Sequence, residues 1–281
     1  MKALVLKSWL LCGATGMLIC CNTGKKESFE NTVRWDSLAV DRSGHFMDAD
    51  TNPGCSLQIK FVYPVDFSDA NVLKATARQF IADCFGDRYA DMTPQKAAEE
   101  YAQEFIRTFK KDEQEFLEEK KKHPAEAEDS WGEVYEISNN QILYNRNNLL
   151  GVLSARESYQ GGAHSVHYYT SRVIDLTTGS RITEKEIFID ECQDDLAKII
   201  AEEIVLSNNV DNVSELENIG FFDIGEIKPN GNFYVDDTGI AYIYNEYEIA
   251  AYALGAITVH LPYEKIRHLL RQDSPIASIA L

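Results

Sequence analysis

The chain of 281 residues has few of the features that mark a redox or catalytic protein. It contains six cysteines and no CxxC pair, so neither a disulfide framework nor a dithiol redox motif is indicated. The sequence also lacks the GxSxG and HExxH motifs, a phosphate-binding loop and a Rossmann fingerprint. We therefore predict no metal site and no cofactor, and we assign no residue a catalytic role.

Long apolar runs are absent except at the N terminus. There, two lysines precede an apolar run at residues 9–19, an order that is typical of a signal peptide. The run ends in a lipoprotein box, with Leu18 three positions before Cys21 and the small residue Cys20 directly before it. We predict cleavage after residue 20 and lipid, such as palmitate, on Cys21. The alternative is an uncleaved anchor, although a spanning helix needs about 20 apolar residues.

A lipid on Cys21 would make a bacterial membrane the first partner of this protein. The lipid would hold the body in the cell envelope, in the periplasm or at the cell surface. Which membrane and which leaflet carry the lipid is left open by the sequence.

Basic residues are also scarce, since 27 of them face 45 acidic residues and give a formal charge of −18. Loss of the two lysines at residues 1–20 leaves 25 basic against 45 acidic residues, or −20. Such a body should be repelled by nucleic acid and by anionic headgroups, so we predict no nucleic-acid partner. The acidity could attract a cationic partner or could serve solubility alone.

The cysteines beyond residue 21 are Cys55, Cys84 and Cys192. This odd number allows at most one disulfide, and the sequence does not say which two would pair. The body is long enough to bury a core without covalent cross-links.

Composition divides the chain into four segments. Residues 1–20 are the predicted signal peptide. Residues 21–54 are polar and predict a tether, to which residues 33–40 could add an edge strand. Residues 55–157 and 158–275 predict two mixed regions of helices and strands.

The first mixed region begins with alternating apolar and polar residues at positions 57–61, which predict a strand that ends at Pro64. Ser68 is the expected N-cap of a first helix, and Gly86 is its expected stop. A second, longer helix is predicted to begin at Thr93, where proline follows the capping threonine.

From Trp131 onwards strands dominate. We predict a turn at Asn139 and Asn140, a strand at residues 164–176 and a hairpin turn at residues 236–239. Because helices and strands mix without βαβ regularity, we predict an α+β fold with mainly antiparallel sheets, packed helices and two small subdomains.

Two blocks of sequence carry a family resemblance. The first block is YQGGAH at residues 159–164 with DLTTG at 175–179, and the second runs from residue 233 to ITVHLPY at 257–263. Together they resemble the RsiV-like family, a domain of unknown function named for the extracellular, lysozyme-sensing part of the anti-sigma factor RsiV. The resemblance covers roughly residues 158–270.

The preceding part of the chain, residues 55–156, resembles the companion region in the amino-terminal part of the polysaccharide deacetylase PdaC. Only a short segment precedes the apolar run, and the sensor's spanning helix is missing, so we do not expect anti-sigma activity. The catalytic domain of the deacetylase, with its metal-binding aspartate and histidines, has no counterpart either. The resemblance therefore implies an extracytoplasmic binding domain.

The predicted ligand-binding residues fall in these two blocks. The paired glycines would let a backbone approach a ligand, histidine could act in acid-base chemistry, and tyrosines could stack on a sugar ring or receive a cationic surface. Structural roles in a turn and in the core are the alternative. The predicted residues are Gly161, Gly162, His164, Tyr168, Tyr244, Tyr247, Glu248 and Tyr252.

Two pairs of residues suggest metal binding or catalysis, but the evidence for each is weak. In a strand, His164 and His167 would point to opposite faces, which argues against a shared zinc ion. Glu246 and Glu248 could share one strand face as glycosidase carboxylates do, but pairs arise easily among 45 acidic residues.

The sequence therefore leaves three functions open. The first is a lipid-anchored binding module of the cell envelope, whose ligand is a cell-wall glycan such as peptidoglycan or a cationic protein such as lysozyme. The second is a carbohydrate-active enzyme, a hydrolase or deacetylase, that uses His164 with a nearby carboxylate. The third is an envelope scaffold.

Overall fold

A computed structural model describes residues 28–123 and 133–280. It contains a six-stranded sheet and a three-stranded sheet, with helices packed against them. This confirms the predicted α+β class with mainly antiparallel sheets. The predicted signal peptide, Cys21 and Trp131 lie outside the described residues.

The first sheet has its strands in chain order. They are β1 (Arg34–His45), β2 (Gly54–Asp66), β3 (Val134–Arg146), β4 (Leu149–Tyr159), β5 (Val166–Asp175) and β6 (Ser180–Arg181). Helices α1 (Ala70–Phe85) and α2 (Pro94–Lys122) connect β2 to β3. This crossover returns the chain to the end of the sheet at which β2 begins, so β2 and β3 are parallel. The other neighbouring pairs are antiparallel.

The remaining elements build the second sheet and the helices around it. They are α3 (Glu184–Ile187), α4 (Gln193–Asn208), β7 (Phe233–Val235), β8 (Gly239–Tyr244), β9 (Ile257–Pro262), α5 (Tyr263–Ile266) and α6 (Ala277–Ala280). The predicted hairpin at residues 236–239 is confirmed, since β7 and β8 pair across it.

The helix ends follow the local sequence closely. Helix α1 is capped by Asp69, whose carboxylate accepts the backbone N–H groups of Asn71 and Val72, so the prediction of Ser68 is wrong by one residue. Gly86 stops the helix as predicted, and its φ of 104° is a conformation that favours glycine. Helix α2 starts after Thr93, as predicted. Among residues 28–123 and 133–280, no helix is long and apolar enough to cross a membrane.

The predicted tether at residues 21–54 is wrong where β1 forms. This strand pairs with β2 along its full length, and Val40 is buried in the core beneath it. The alternative, an edge strand at residues 33–40, is the better prediction, although the strand is longer. The tether prediction failed because an edge strand with one solvated face needs few apolar residues.

The predicted turn at Asn139 and Asn140 is also wrong, because both residues lie inside β3. The Asn140 side chain is buried, accepts the N–H of Val62 and donates to its carbonyl, each at 2.8 Å. Its amide thus continues the β2–β3 ladder where backbone pairing has ended. The turn lies instead at Asn147 and Asn148, both with positive φ.

The predicted boundary between residues 157 and 158 falls inside β4 and does not separate the two sheets. Alternate residues of β4 serve two cores: Leu150 and Val152 pack under α1 and α2, whereas Leu149 packs with the second sheet. One strand therefore contributes to both cores.

The three cysteines among the described residues are all buried and unpaired. Burial raises the pKa of the Cys55 thiol to about 11 and that of Cys84 to about 12. Both therefore stay as inert thiols at neutral pH.

Candidate functional site

Along one edge of β5, side chains bond the backbone N–H groups that a neighbouring strand would otherwise bond. Strand β6 pairs only with Ile174 and Asp175 at the end of β5, so the rest of this edge has no strand neighbour within residues 28–123 and 133–280. The backbone N–H groups of His167, Tyr169 and Ser171 instead donate to side-chain oxygens. These oxygens belong to Glu246, Asn245 and Asn232, at 2.9, 2.6 and 2.7 Å respectively. This edge joins the two sheets.

His167 lies at one end of this edge, between two carboxylates. Its Nδ1 is 2.8 Å from Glu246 Oε1, and its Nε2 is 3.8 Å from Glu157 Oε2. Glu157 in turn accepts a 2.8 Å hydrogen bond from the Tyr135 hydroxyl. The Glu246 side chain is only 6% exposed and is held by both the backbone and the ring of His167. This geometry fixes the imidazole firmly.

A cleft of about 410 Å³ opens beside His167, between the exposed face of β3 to β5 and the second sheet. Leu143 and Leu153 give it an apolar wall, and His167 and Glu246 provide its titratable groups. The full lining is Leu143, Leu153, His167, Tyr169, Tyr234, Ile243, Glu246, Gly255, Ala256 and Thr258.

Three predicted residues converge next to this cleft in an aromatic trio of His164, Tyr247 and Tyr252. The rings of His164 and Tyr252 are stacked at 3.6 Å between centroids, with 18° between their planes. Tyr247 lies 5.7 Å from Tyr252 and places its hydroxyl 3.3 Å from His164 Nε2. Because Tyr247 is 56% exposed, the trio presents an aromatic surface to solvent.

The loop that carries His164 is held from two sides. The Tyr252 hydroxyl donates to the Ser165 carbonyl, and the Tyr159 hydroxyl donates to the Gly162 carbonyl, both at 2.9 Å. Gly161 and Gly162 both have positive φ, 92° and 97°, which lets the chain turn sharply between β4 and β5. The predicted strand start at residue 164 is therefore wrong, because His164 belongs to this loop.

Other predicted residues lie elsewhere. Tyr244 is 1% exposed and donates to the Lys228 carbonyl, and burial holds the pKa of its hydroxyl well above the usual range. Glu248 accepts from the Asn245 backbone and closes a turn. Tyr168 projects from β5 to the opposite face of the sheet from His167. Glu246 and Glu248 follow the end of β8, so they do not share a strand face.

Sequence reasoning missed the contact of His167 with Glu246 and the neighbouring Glu157. Their signal is weak, because the partners are 79 residues apart in a chain rich in carboxylates. His164 is the residue on which the enzyme alternative depends. Its Nδ1 contacts the Ser165 carbonyl and its ring stacks on Tyr252, whereas the carboxylates lie at His167. The described residues contain no cluster of three or more histidines, cysteines or carboxylates placed to hold a metal ion.

Comparison with known proteins places this fold among solved relatives. A DUF3298 family protein from Bacteroides fragilis NCTC 9343 has 27% identity and a TM-score of 0.82, over 89% of this chain and 98% of that one. A second, from Pseudomonas aeruginosa PAO1, has 12% identity and a TM-score of 0.56, over 87% and 97%. The latter likeness is one of fold alone.

No protein of the curated set matches this chain. The resemblances to the RsiV-like family and to the PdaC amino-terminal region stay predictions. Residues 185–264 match the model of DUF3298, described as a protein of unknown function. Residues 185–264 are therefore similar to the DUF3298 domain, within a fold that is similar over most of its length to a solved DUF3298 protein from Bacteroides fragilis.

Proposed function

We propose that this protein is a lipid-anchored binding module of the cell envelope that uses the aromatic trio to bind a cationic protein such as lysozyme. The observation that carries the proposal is the exposed, stacked arrangement of His164, Tyr247 and Tyr252. Aromatic rings that are rigid before binding contribute much contact area at a small cost in conformational entropy.

Charge supports a cationic partner over a neutral one. Lysine and arginine side chains bind favourably over the faces of tyrosine rings, and the carboxylates of Glu157 and Glu246 flank His167, three residues after His164. The net charge of −18 would also accelerate encounter with a basic protein. We therefore expect the affinity to fall as the salt concentration rises.

A cell-wall glycan is the second candidate ligand, and the exposed face of the Tyr247 ring favours it. Such a ring could stack on a sugar ring, and the adjacent cleft offers one carboxylate and a threonine hydroxyl for hydrogen bonds. A neutral glycan would bind with little dependence on salt, which separates the two candidates.

The substitution Tyr247→Ala tests this proposal. We expect the affinity of the full chain for lysozyme, measured by calorimetry, to fall about tenfold, because the most exposed ring of the trio is lost. Tyr168→Ala is the matched control, since Tyr168 is 57% exposed against 56% for Tyr247 but lies on the opposite face of the sheet.

Other outcomes of these binding experiments would contradict the proposal or change its ligand. Equal losses from Tyr247→Ala and Tyr168→Ala would contradict a role for the trio. If the wild-type chain sediments with purified peptidoglycan and does not bind lysozyme, the second candidate replaces the first. If it binds neither ligand, the proposed function is wrong.

Lipid attachment is tested separately at Cys21. We expect Cys21→Ser to move the protein from the membrane fraction to the soluble envelope fraction and to remove the mass of the lipid. The substitution Cys20→Ser keeps a small residue before the lipidation site, so the protein should remain in the membrane fraction. An unchanged distribution of the Cys21→Ser protein would contradict the anchor.

A further inference from the structure

A second cavity, of about 150 Å³, lies on the other face of the six-stranded sheet, between the end of α1 and strands β3 to β5. Side chains alternate along a strand, so Tyr168 and Thr170 of β5 line this cavity while His167 and Tyr169 line the cleft described above. The two sites are therefore separate, and the inference drawn from this cavity does not rest on the proposed function.

Several hydroxyl groups line the cavity. Ser138, Ser154 and Thr170 line it from three adjacent strands, in neighbouring rows of the sheet. Ser138 is only 6% exposed, and its Oγ has no hydrogen-bond partner among the described residues. A buried hydroxyl without a partner is costly, so Ser138 would be stabilised by a ligand hydroxyl that its Oγ, closed to solvent in this structure, reaches by rotation of the side chain.

The charged groups around the cavity are already neutralised within the protein. Asp83 faces Arg172 at 3.3 Å, and Arg156 faces Glu136 at 3.5 Å. Arg156 also donates to the Cys84 carbonyl at 2.9 Å. Because these side chains already have partners of opposite charge, they offer little to a ligand with a net charge, which favours a neutral ligand with many donors and acceptors.

We propose that this cavity binds a single neutral sugar ring. The ring's hydroxyls would bond Ser138, Ser154 and Thr170, and the exposed ring of Tyr168 at the rim would pack against its less polar face. The volume is below the roughly 300 Å³ at which pockets for drug-sized ligands begin, so the site takes one ring and no longer chain.

Ligand-observed NMR on the full chain tests the proposal, with glucose, N-acetylglucosamine and glycine as probes. We expect at least one sugar to bind with a millimolar dissociation constant, as is usual for so small a ligand, and glycine not to bind. Ser138→Ala should weaken the sugar about tenfold, and the isosteric Thr170→Val should have a similar effect.

The melting temperature distinguishes a ligand-binding role of Ser138 from a purely structural one. Ser138→Ala removes a hydroxyl that has no partner, so the free protein should melt at the same or a higher temperature than the wild type while it loses the sugar. Ser37→Ala, at an exposed position on β1, is the control and should change neither property.

Three results would overturn the inference. The first is no sugar binding by the wild type, which would leave a cavity for water only. The second is binding of glycine in preference to the sugars, which would indicate a zwitterionic ligand. The third is sugar binding that survives Ser138→Ala and Thr170→Val but is lost in Tyr247→Ala, which would place the sugar at the aromatic trio, where the second candidate ligand would bind.

Discussion

Replacement of Asn232 by alanine is expected to lower the free energy of unfolding by about 2–3 kcal/mol, from the loss of three hydrogen bonds at roughly 1 kcal/mol each. The side-chain oxygen of Asn232 accepts the Ser171 N–H at 2.7 Å, and its nitrogen donates to the carbonyls of Tyr169 and Ile243 at 2.9 Å. One side chain thus connects β5 of the first sheet to β8 of the second. Urea denaturation of the full chain measures the change.

Asn218→Ala is the matched control for this prediction. Asn218 is exposed in a short 3₁₀ helix, so the same chemical change there should alter stability by no more than about 0.5 kcal/mol. If Asn232→Ala and Asn218→Ala have equal effects, the side-chain bridge does not stabilise the contact between the sheets. Asn245→Ala provides a second case, since Asn245 is 8% exposed and bonds both backbone groups of Tyr169.

The substitution with the largest expected effect on stability is Phe61→Ala, at about 3–5 kcal/mol. Phe61 is fully buried between β2 and α1, with its ring 5.0 Å from Phe85 in an edge-to-face contact and 5.5 Å from Tyr63. Truncation removes both aromatic contacts and leaves a cavity that the rigid sheet cannot close. The same denaturation experiment measures the loss.

Phe29→Ala serves as the control, because Phe29 is 52% exposed and its backbone, not its ring, bonds Asn147. We expect a loss of less than about 1 kcal/mol. Phe61→Leu, which keeps most of the apolar volume, should fall between the two. A loss below about 1 kcal/mol for Phe61→Ala would mean that the core beneath α1 is not packed as the structure indicates.

Helices and strands whose limits are set by nearby residues were predictable from the sequence. Thr93 with the proline that follows it starts α2, Gly86 ends α1, and alternation of apolar and polar residues marks β2. Each depends on residues within a few positions of one another, which is the distance over which capping and strand alternation act.

The turn predicted from two asparagines is wrong because the local preference of asparagine differs from its role in the folded protein. Asn139 and Asn140 favour a turn in isolation. In the folded protein, Asn140 bonds Val62, which is 78 residues away, and the strand continues. Buried backbone groups must be satisfied, and a side chain from another element can do so without a local sequence signal.

The site was predicted only in part for the same reason. Of the residues that the sequence predicts, His164, Tyr247 and Tyr252 meet in the aromatic trio. Tyr244 and Glu248 have structural positions, and Tyr168 lies on the other face of the sheet. Density of tyrosines in the sequence does not reveal which rings are exposed.

The sequence by itself determined the acidity of the protein, the α+β class and most helix and strand positions, because charge, periodicity and capping are local properties. Only the tertiary structure decided which faces of β5 carry which site, that side-chain amides join the two sheets, and that β4 serves two cores. These features depend on contacts between residues 60 or more positions apart, and their geometry exists only after the chain has packed.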